Sequence, residues 1–297
     1  MIEKLKGIKN FFGKGKALKS EDSEISESEK NINPDSIKVI KVSYSTNTGC
    51  SRDENQDNFY VDSVGRKLQE NISGTKIFNL NKRRIFAVFD GMGGEAFGSE
   101  ASEIAASCLV DYVDKIKLID NDNLSELIFE YVEKANSEIC DMTLEKRCGI
   151  SGSTLALVCV DERYVKGYSL GDSKIYLYNG ANISQVNEDQ TLAAQKIKAQ
   201  IYTEEEARNS GDNSKLTMFL GVDMVKKGLK PLSYNPIKLH NNIFILCSDG
   251  VSNACSYEEM IEVIKQNDGN KAEQLTERAI KNGSDDNVTC IVIENIS

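Results

Sequence analysis

The feature that most constrains this chain is a set of aspartates placed at or near the ends of short apolar runs. They stand in Arg52-Asp53-Glu54-Asn55-Gln56-Asp57, Phe89-Asp90-Gly91-Met92-Gly93-Gly94, Gly171-Asp172-Ser173, Cys247-Ser248-Asp249-Gly250 and Asp285-Asp286-Asn287. Two of them follow runs that read as buried strands, 85–89 before Asp90 and 243–247 before Asp249. A carboxylate at the end of a buried strand has to be paired, hydrogen-bonded or bound to a cation, because an isolated buried charge is very costly. The chain has a single histidine in 297 residues, so imidazole is not the partner. Clusters of carboxylate, carbonyl and water oxygens suit Mg²⁺ or Mn²⁺.

The remaining composition narrows the class. With 46 acidic against 36 basic residues the net charge is -10, which argues against nucleic acid as the main partner. Eight cysteines include no Cys-x-x-Cys pair, and Cys108, Cys159, Cys247 and Cys290 lie inside apolar segments. Such residues behave as small core hydrophobes in a reducing compartment, and zinc would want them clustered. No apolar run reaches the ~18–20 residues of a transmembrane helix, and the lysine-rich N-terminus lacks the hydrophobic stretch of a signal peptide. A cytoplasmic protein is expected.

Residues 1–19 carry six lysines and one glutamate, and 20–30 form a Ser/Glu run (SEDSEISESEK). Gly7, Gly13 and Gly15 weaken any helix there, so residues 1–36 read as a disordered leader and 37–297 as the folded domain. Strand-like runs are 37–44, 58–61, 85–89, 153–160, 164–170, 174–178, 243–247 and 288–293. The short gap at Gly171-Asp172 suggests that 164–170 and 174–178 pair antiparallel. Apolar residues at helical spacing mark one helix through Ala101, Ala105, Cys108 and Tyr112, and another through Leu124, Ile128, Tyr131, Ala135 and Ile139. Ser256-x-x-Glu259 and Thr203-x-x-Glu206 are capping boxes, and Ala272, Leu275 and Ala279 give a further helical stripe. Strands in antiparallel sets with paired helices predict an α+β fold, an α/β/β/α sandwich of two antiparallel sheets flanked by helix pairs. The polar stretch 187–235 is expected to form a helical flap over one end.

In Asp90-Gly91-Met92-Gly93-Gly94 the chain leaves a strand and turns sharply, and glycines let the backbone approach a ligand closely. Asp90 could bridge two ions while the Gly91 carbonyl binds one. Two such ions would lower the pKa of a shared water without a histidine base. One motif of this kind is more simply a hydrogen-bonded turn; five in one chain favour a metal-dependent hydrolase.

The motifs, in this order, resemble those of the type 2C metal-dependent Ser/Thr protein phosphatases in their compact bacterial form, over residues 43–293. Arg52-x-x-x-Gln56-Asp57 is similar to the family's opening Arg-x-x-Asn-Glu-Asp, and Asp90-Gly91-Met92-Gly93-Gly94 matches its bacterial signature. Gly152-Ser153-Thr154, Gly171-Asp172-Ser173-Lys174, Leu246-Cys247-Ser248-Asp249-Gly250 and Asp286-Asn287-Val288-Thr289 resemble the later motifs. The resemblance implies hydrolysis of phosphoserine and phosphothreonine by a metal-bound hydroxide, with two Mn²⁺ or Mg²⁺ ions and a weaker third. Asp90 would bridge the pair, Gly91 would donate its carbonyl, Asp249 and Asp286 would complete the first ion, and Asp57 would hold the second. Asp172 would serve the third with Asp249, and Arg52 would bind substrate phosphate, for which a guanidinium fork is matched. Phosphorylated proteins and an opposing Ser/Thr kinase are the implied partners.

Four positions depart from the family. Gln56 replaces a Glu, Lys174 an Arg, Glu95 a common His, and Glu188-Asp189-Gln190 stands where the flap often carries Asp-His. The one histidine, His240, is expected at the surface, so histidine general-acid catalysis is not expected. These losses leave a second possibility, a pseudophosphatase that binds phosphoproteins without turnover, which the retained aspartates oppose.

Overall fold

The computed structural model describes residues 39–62, 64–65, 71–93, 97–147, 149–223, 229 and 231–297, all within the unit Asp35–Ser297. The expected leader 1–36, Gly94 and Glu95 lie outside the described residues.

Two antiparallel sheets carry the fold. The first contains β2 (Asn58–Val61), β3 (Val64–Gly65), β5 (Arg84–Phe89), β8 (Leu155–Val160), β9 (Tyr164–Leu170), β12 (Leu232–Ser233) and β13 (Ile237–Lys238). Its strand order is β12-β9-β8-β5-β2-β3, with β13 also on β9. The second runs β11-β10-β14-β15-β1-β4, formed by β1 (Val39–Asn47), β4 (Ile72–Asn79), β10 (Lys174–Tyr178), β11 (Ile183–Gln185), β14 (Ile243–Cys247) and β15 (Val288–Asn295). A small ladder joins β6 (Gly91–Met92) to β7 (Gly152–Ser153).

Strand β5 shows why the layers form. Its side chains alternate faces, as any strand's do. Ile85, Ala87 and Phe89 pack under α1 (Phe97–Leu118) and α2 (Leu124–Lys146). Phe86 and Val88 point the other way, against Ile40, Val42, Phe244 and Ile291 between the sheets. Truncating Phe86 to Ala should cost about 3–5 kcal/mol. On the far side, α5 (Asp249–Ser252), α6 (Tyr257–Ile264) and α7 (Lys271–Lys281) cover Ile245, Cys247 and Val292. The result is the expected α/β/β/α sandwich. Both capping boxes form, at Ser256–Glu259 before α6 and at Thr203–Glu206 before α4 (Glu204–Arg208); α3 (Leu192–Lys198) is capped by Thr191.

One pairing expected from sequence does not occur. β9 and β10 belong to different sheets: β9 pairs β8, β12 and β13, while β10 pairs β11 and β14. The chain crosses between sheets at Gly171, where φ is +90° and an ideal Cβ would lie 2.8 Å from Thr154 Cγ2. A side chain there would meet both the left-handed strain and the threonine. The crossing carries Asp172 to the gap between the sheets.

Candidate metal-dependent active site

Strand polarity brings the five aspartate motifs to one end of the sandwich. Asn58, just after Asp57, lies opposite Phe89, just before Asp90. Cys247, two residues before Asp249, lies opposite Cys290 near the start of β15, and Lys174 is its partner on the other side. Asp57 and Asp90 thus come from one sheet, Asp249 and Asp286 from the other, and Asp172 from the crossing between them.

Neutral donors hold these groups in place. Ser248 donates its hydroxyl to Asp57 Oδ2 at 2.7 Å, while its own Oγ accepts from the Thr289 amide. Thr154 binds both backbone groups of Asp90: its amide donates to Asp90 O at 2.8 Å and its Oγ1 accepts from Asp90 N at 2.9 Å. The Gly91 amide donates to the Gln56 carbonyl at 3.2 Å, which Ser102 on α1 also holds at 2.6 Å. Asn287 clamps the opening motif by donating to the Thr48 and Glu54 carbonyls and accepting from Gln56 N. Ser248 and Asn287 have a sequence signal only in standing within the aspartate motifs, and Ser102, on α1, has none.

The electrostatics are those of crowded acids. Burial, with repulsion from Asp286 and Asp249, raises the Asp57 carboxyl to about 7, and burial beside Asp249 raises Asp172 to about 7. Desolvation and the surrounding aspartates push Asp90 well above the usual carboxylate range. Asp249 is raised by burial and Asp286, against a hydrogen bond with Asp90 that favours its charge. The nearest cations each hold a carboxylate already. Lys174 pairs with Asp189, and Arg52, with half its side chain exposed, donates to Asp286 Oδ2 at 2.8 Å and to the Asp285 carbonyl.

Among the described residues, no three His, Cys, Asp or Glu groups close tightly enough to grip an ion as they stand. The donor set nevertheless fits hard divalent cations. It offers several part-desolvated carboxylates on facing strand ends, a backbone carbonyl at Gly91, and no imidazole or thiolate ligand. His240 is exposed in the turn before β14, at the end of that strand away from Asp249. Gln56 donates its amide to Glu54 Oε1 at 3.0 Å.

A double antiparallel sandwich with several carboxylates and a backbone carbonyl across its strand ends suits a metal-dependent hydrolase. The family model for protein phosphatase 2C matches residues 71–279, well over half of the chain. The chain belongs to the protein phosphatase 2C family, whose members are phosphoprotein phosphatases dependent on Mn²⁺ or Mg²⁺. It is 28% identical over 236 residues to the serine/threonine phosphatase stp of Listeria innocua, covering 77% of this chain and 92% of that protein. It is also 28% identical over 260 residues to protein phosphatase PhpP of Streptococcus pneumoniae, covering 86% and 97%. The catalytic domain of serine threonine protein phosphatase PstP, solved in complex with two manganese ions, superposes with a TM-score of 0.68 at 23% identity. That match covers 87% of this chain and 100% of the other. No described helix is long and apolar enough to cross a membrane.

Proposed function

We propose that this protein removes phosphate from phosphoserine and phosphothreonine side chains of other proteins, with Asp57, Asp90, Asp172, Asp249, Asp286 and the Gly91 carbonyl as the cation-binding set. The observation that supports this most is the gathering of Asp57, Asp90, Asp172 and Asp249, whose carboxyl pKa values are raised by burial and by one another's charge, at one end of the sandwich. Divalent cations bound there would neutralise these acids, activate water and offset charge on the phosphoryl oxygens. The charges of acids from both sheets act on Asp90, and its backbone nitrogen and carbonyl are both held by Thr154, so its carboxylate can serve both halves of the set. Ser248 keeps Asp57 oriented. Arg52 stands at the exposed rim, where its guanidinium can trade Asp286 for a substrate phosphate in a bidentate contact. The leaving serine or threonine oxygen takes its proton from solvent rather than from histidine, since His240 is remote.

The implied partners are a Ser/Thr kinase that acts in the opposite direction and its phosphorylated substrates, in the cytoplasm, and the folded part 37–297 carries the activity. Phosphate release from a phosphothreonine peptide tests the reading. Turnover with Mn²⁺ or Mg²⁺ and its loss in EDTA are expected. Tight peptide binding without release in any metal would instead mark a binding module.

A further inference from the structure

Asn136, on the inner face of α2, is buried to 1% exposure; its Nδ2 also reaches Cys140 Sγ, and both ends of its amide bond one turn, Gly221-Val222. Its Oδ1 accepts from Gly221 N at 2.7 Å and Val222 N at 3.0 Å, and its Nδ2 donates to Val222 O at 3.1 Å. Cys140, one helical turn on, also reaches Val222 O. Two adjacent amides on one carbonyl oxygen, with the return bond to the following carbonyl, fix both the position and the tilt of the turn. Gly221 suits this fit, with φ of +105° and an ideal Cβ position only 2.5 Å from Ser151 O and 2.8 Å from Ile139 Cγ2.

The turn leads straight to the wall of the site. Leu220, just before it, exchanges both backbone hydrogen bonds with Ser153, at 3.0 and 2.8 Å. Ser153 is the β-partner of Gly91, and its neighbour Thr154 holds both backbone groups of Asp90. Leu220, Ser153 and Gly91 therefore lie side by side on three adjacent segments: Ser153 gives both backbone groups to Leu220 and faces Gly91 in register, the next residue, Thr154, bonds Asp90, and Asn136 fastens the outer segment to a 23-residue helix. We propose that Asn136 is a positioning residue for Asp90 and Gly91. By fixing the 221–222 turn it keeps the Leu220–Ser153 rung in register, and so sets the cation-facing carbonyl and carboxylate on the next rung. This rests on the metal-site reading given above. An amide that merely stabilised the fold would lower the melting temperature and leave metal affinity alone.

Calorimetric titration of Mn²⁺ into wild type, Asn136→Ala and Asn136→Asp separates the two. Loss of an orienting contact outside the ligand shell typically weakens metal binding 10–100-fold, so Asn136→Ala is expected to weaken Mn²⁺ by about tenfold. Asn136→Asp keeps an oxygen for both amides but sets its second oxygen against the Val222 carbonyl in a buried place, so it should not recover that loss. Hydrogen exchange on the wild-type protein gives an answer even if the alanine variant does not fold. If the turn holds the site, the bound metal must hold the turn, and Mn²⁺ should slow exchange across 219–222. Equal Mn²⁺ affinity in folded Asn136→Ala, or exchange at 219–222 indifferent to Mn²⁺, would overturn the proposal. A wild-type protein that binds no Mn²⁺ at all would overturn the metal-site reading, and this proposal with it.

Discussion

The hydroxyl of Ser248 donates to Asp57 Oδ2 at 2.7 Å, joining the end of β14 in one sheet to the start of β2 in the other. The same oxygen accepts from the Thr289 amide at 3.0 Å, so one side chain satisfies two groups across the gap where the acids meet.

Replacing Ser248 with Ala should therefore leave a buried carboxylate and a buried amide each short of a partner. A cost of about 1–3 kcal/mol in stability is expected, since an unsatisfied buried group loses its full desolvation penalty. Denaturant unfolding in EDTA reads it directly, and an unchanged midpoint would show that Asp57 finds another donor. The Mn²⁺ needed for half-maximal activity should also rise.

Arg52 lies half exposed against Asp286, and such pairs contribute about 0–1 kcal/mol. Arg52→Ala should thus barely move the melting temperature, yet raise KM for a phosphopeptide with a smaller change in kcat. Steady-state kinetics on a phosphothreonine peptide decide the matter; an unaltered KM would leave Arg52 with no role beyond its pair with Asp286.

Gln56 offers a test of charge at the opening motif. Its amide donates to Glu54 at 3.0 Å, so Gln56→Glu would set two carboxylates side by side and lower the melting temperature in EDTA by a few degrees. With Mn²⁺ present the added charge should tighten metal binding, by roughly tenfold after desolvation is counted. Saturated kcat should change little. A metal requirement that stays level or rises would mean that Gln56 does not face the ions.

Asp212 controls the segment carrying α3 and α4. It binds Lys196 and Lys215, and these contacts, the Lys196 hydrogen bond first, hold its carboxyl below the usual range. A depressed folded pKa gives stability that is present above the unfolded value near 4 and is lost as pH falls further. Exchange across 192–215, corrected for its intrinsic pH dependence, should be steady from about pH 6 to about pH 8 and faster below about pH 4. Asp212→Asn should exchange fast throughout and lose the pH dependence.

The parts of the fold legible in the sequence were those where burial writes a simple pattern. β2, β9, β10 and β14 begin and end where their apolar runs do. β4 escaped because it is an edge strand, polar on its open face, with Gly74 in its middle under the Tyr44 ring, where a side chain would not fit. The β9–β10 connection misled because a short gap with glycine serves a hairpin and a crossing between sheets equally well. In the site, the aspartates were visible from their motifs. The contacts that aim them were not: Ser248 meets Asp57 across 191 residues and Asn136 meets Gly221 across 85, distances over which a single sequence carries no local signal.

The central claim is that the clustered aspartates act by holding divalent cations. The most direct test is the turnover number of Asp90→Asn and Asp249→Asn on a phosphothreonine peptide at saturating Mn²⁺. Each exchange removes one charge from the cation-binding set while keeping nearly the same shape. A loss of about a hundredfold or more in each variant, with the fold intact by circular dichroism, is predicted. Retention of more than about a tenth of wild-type kcat in both would contradict the account.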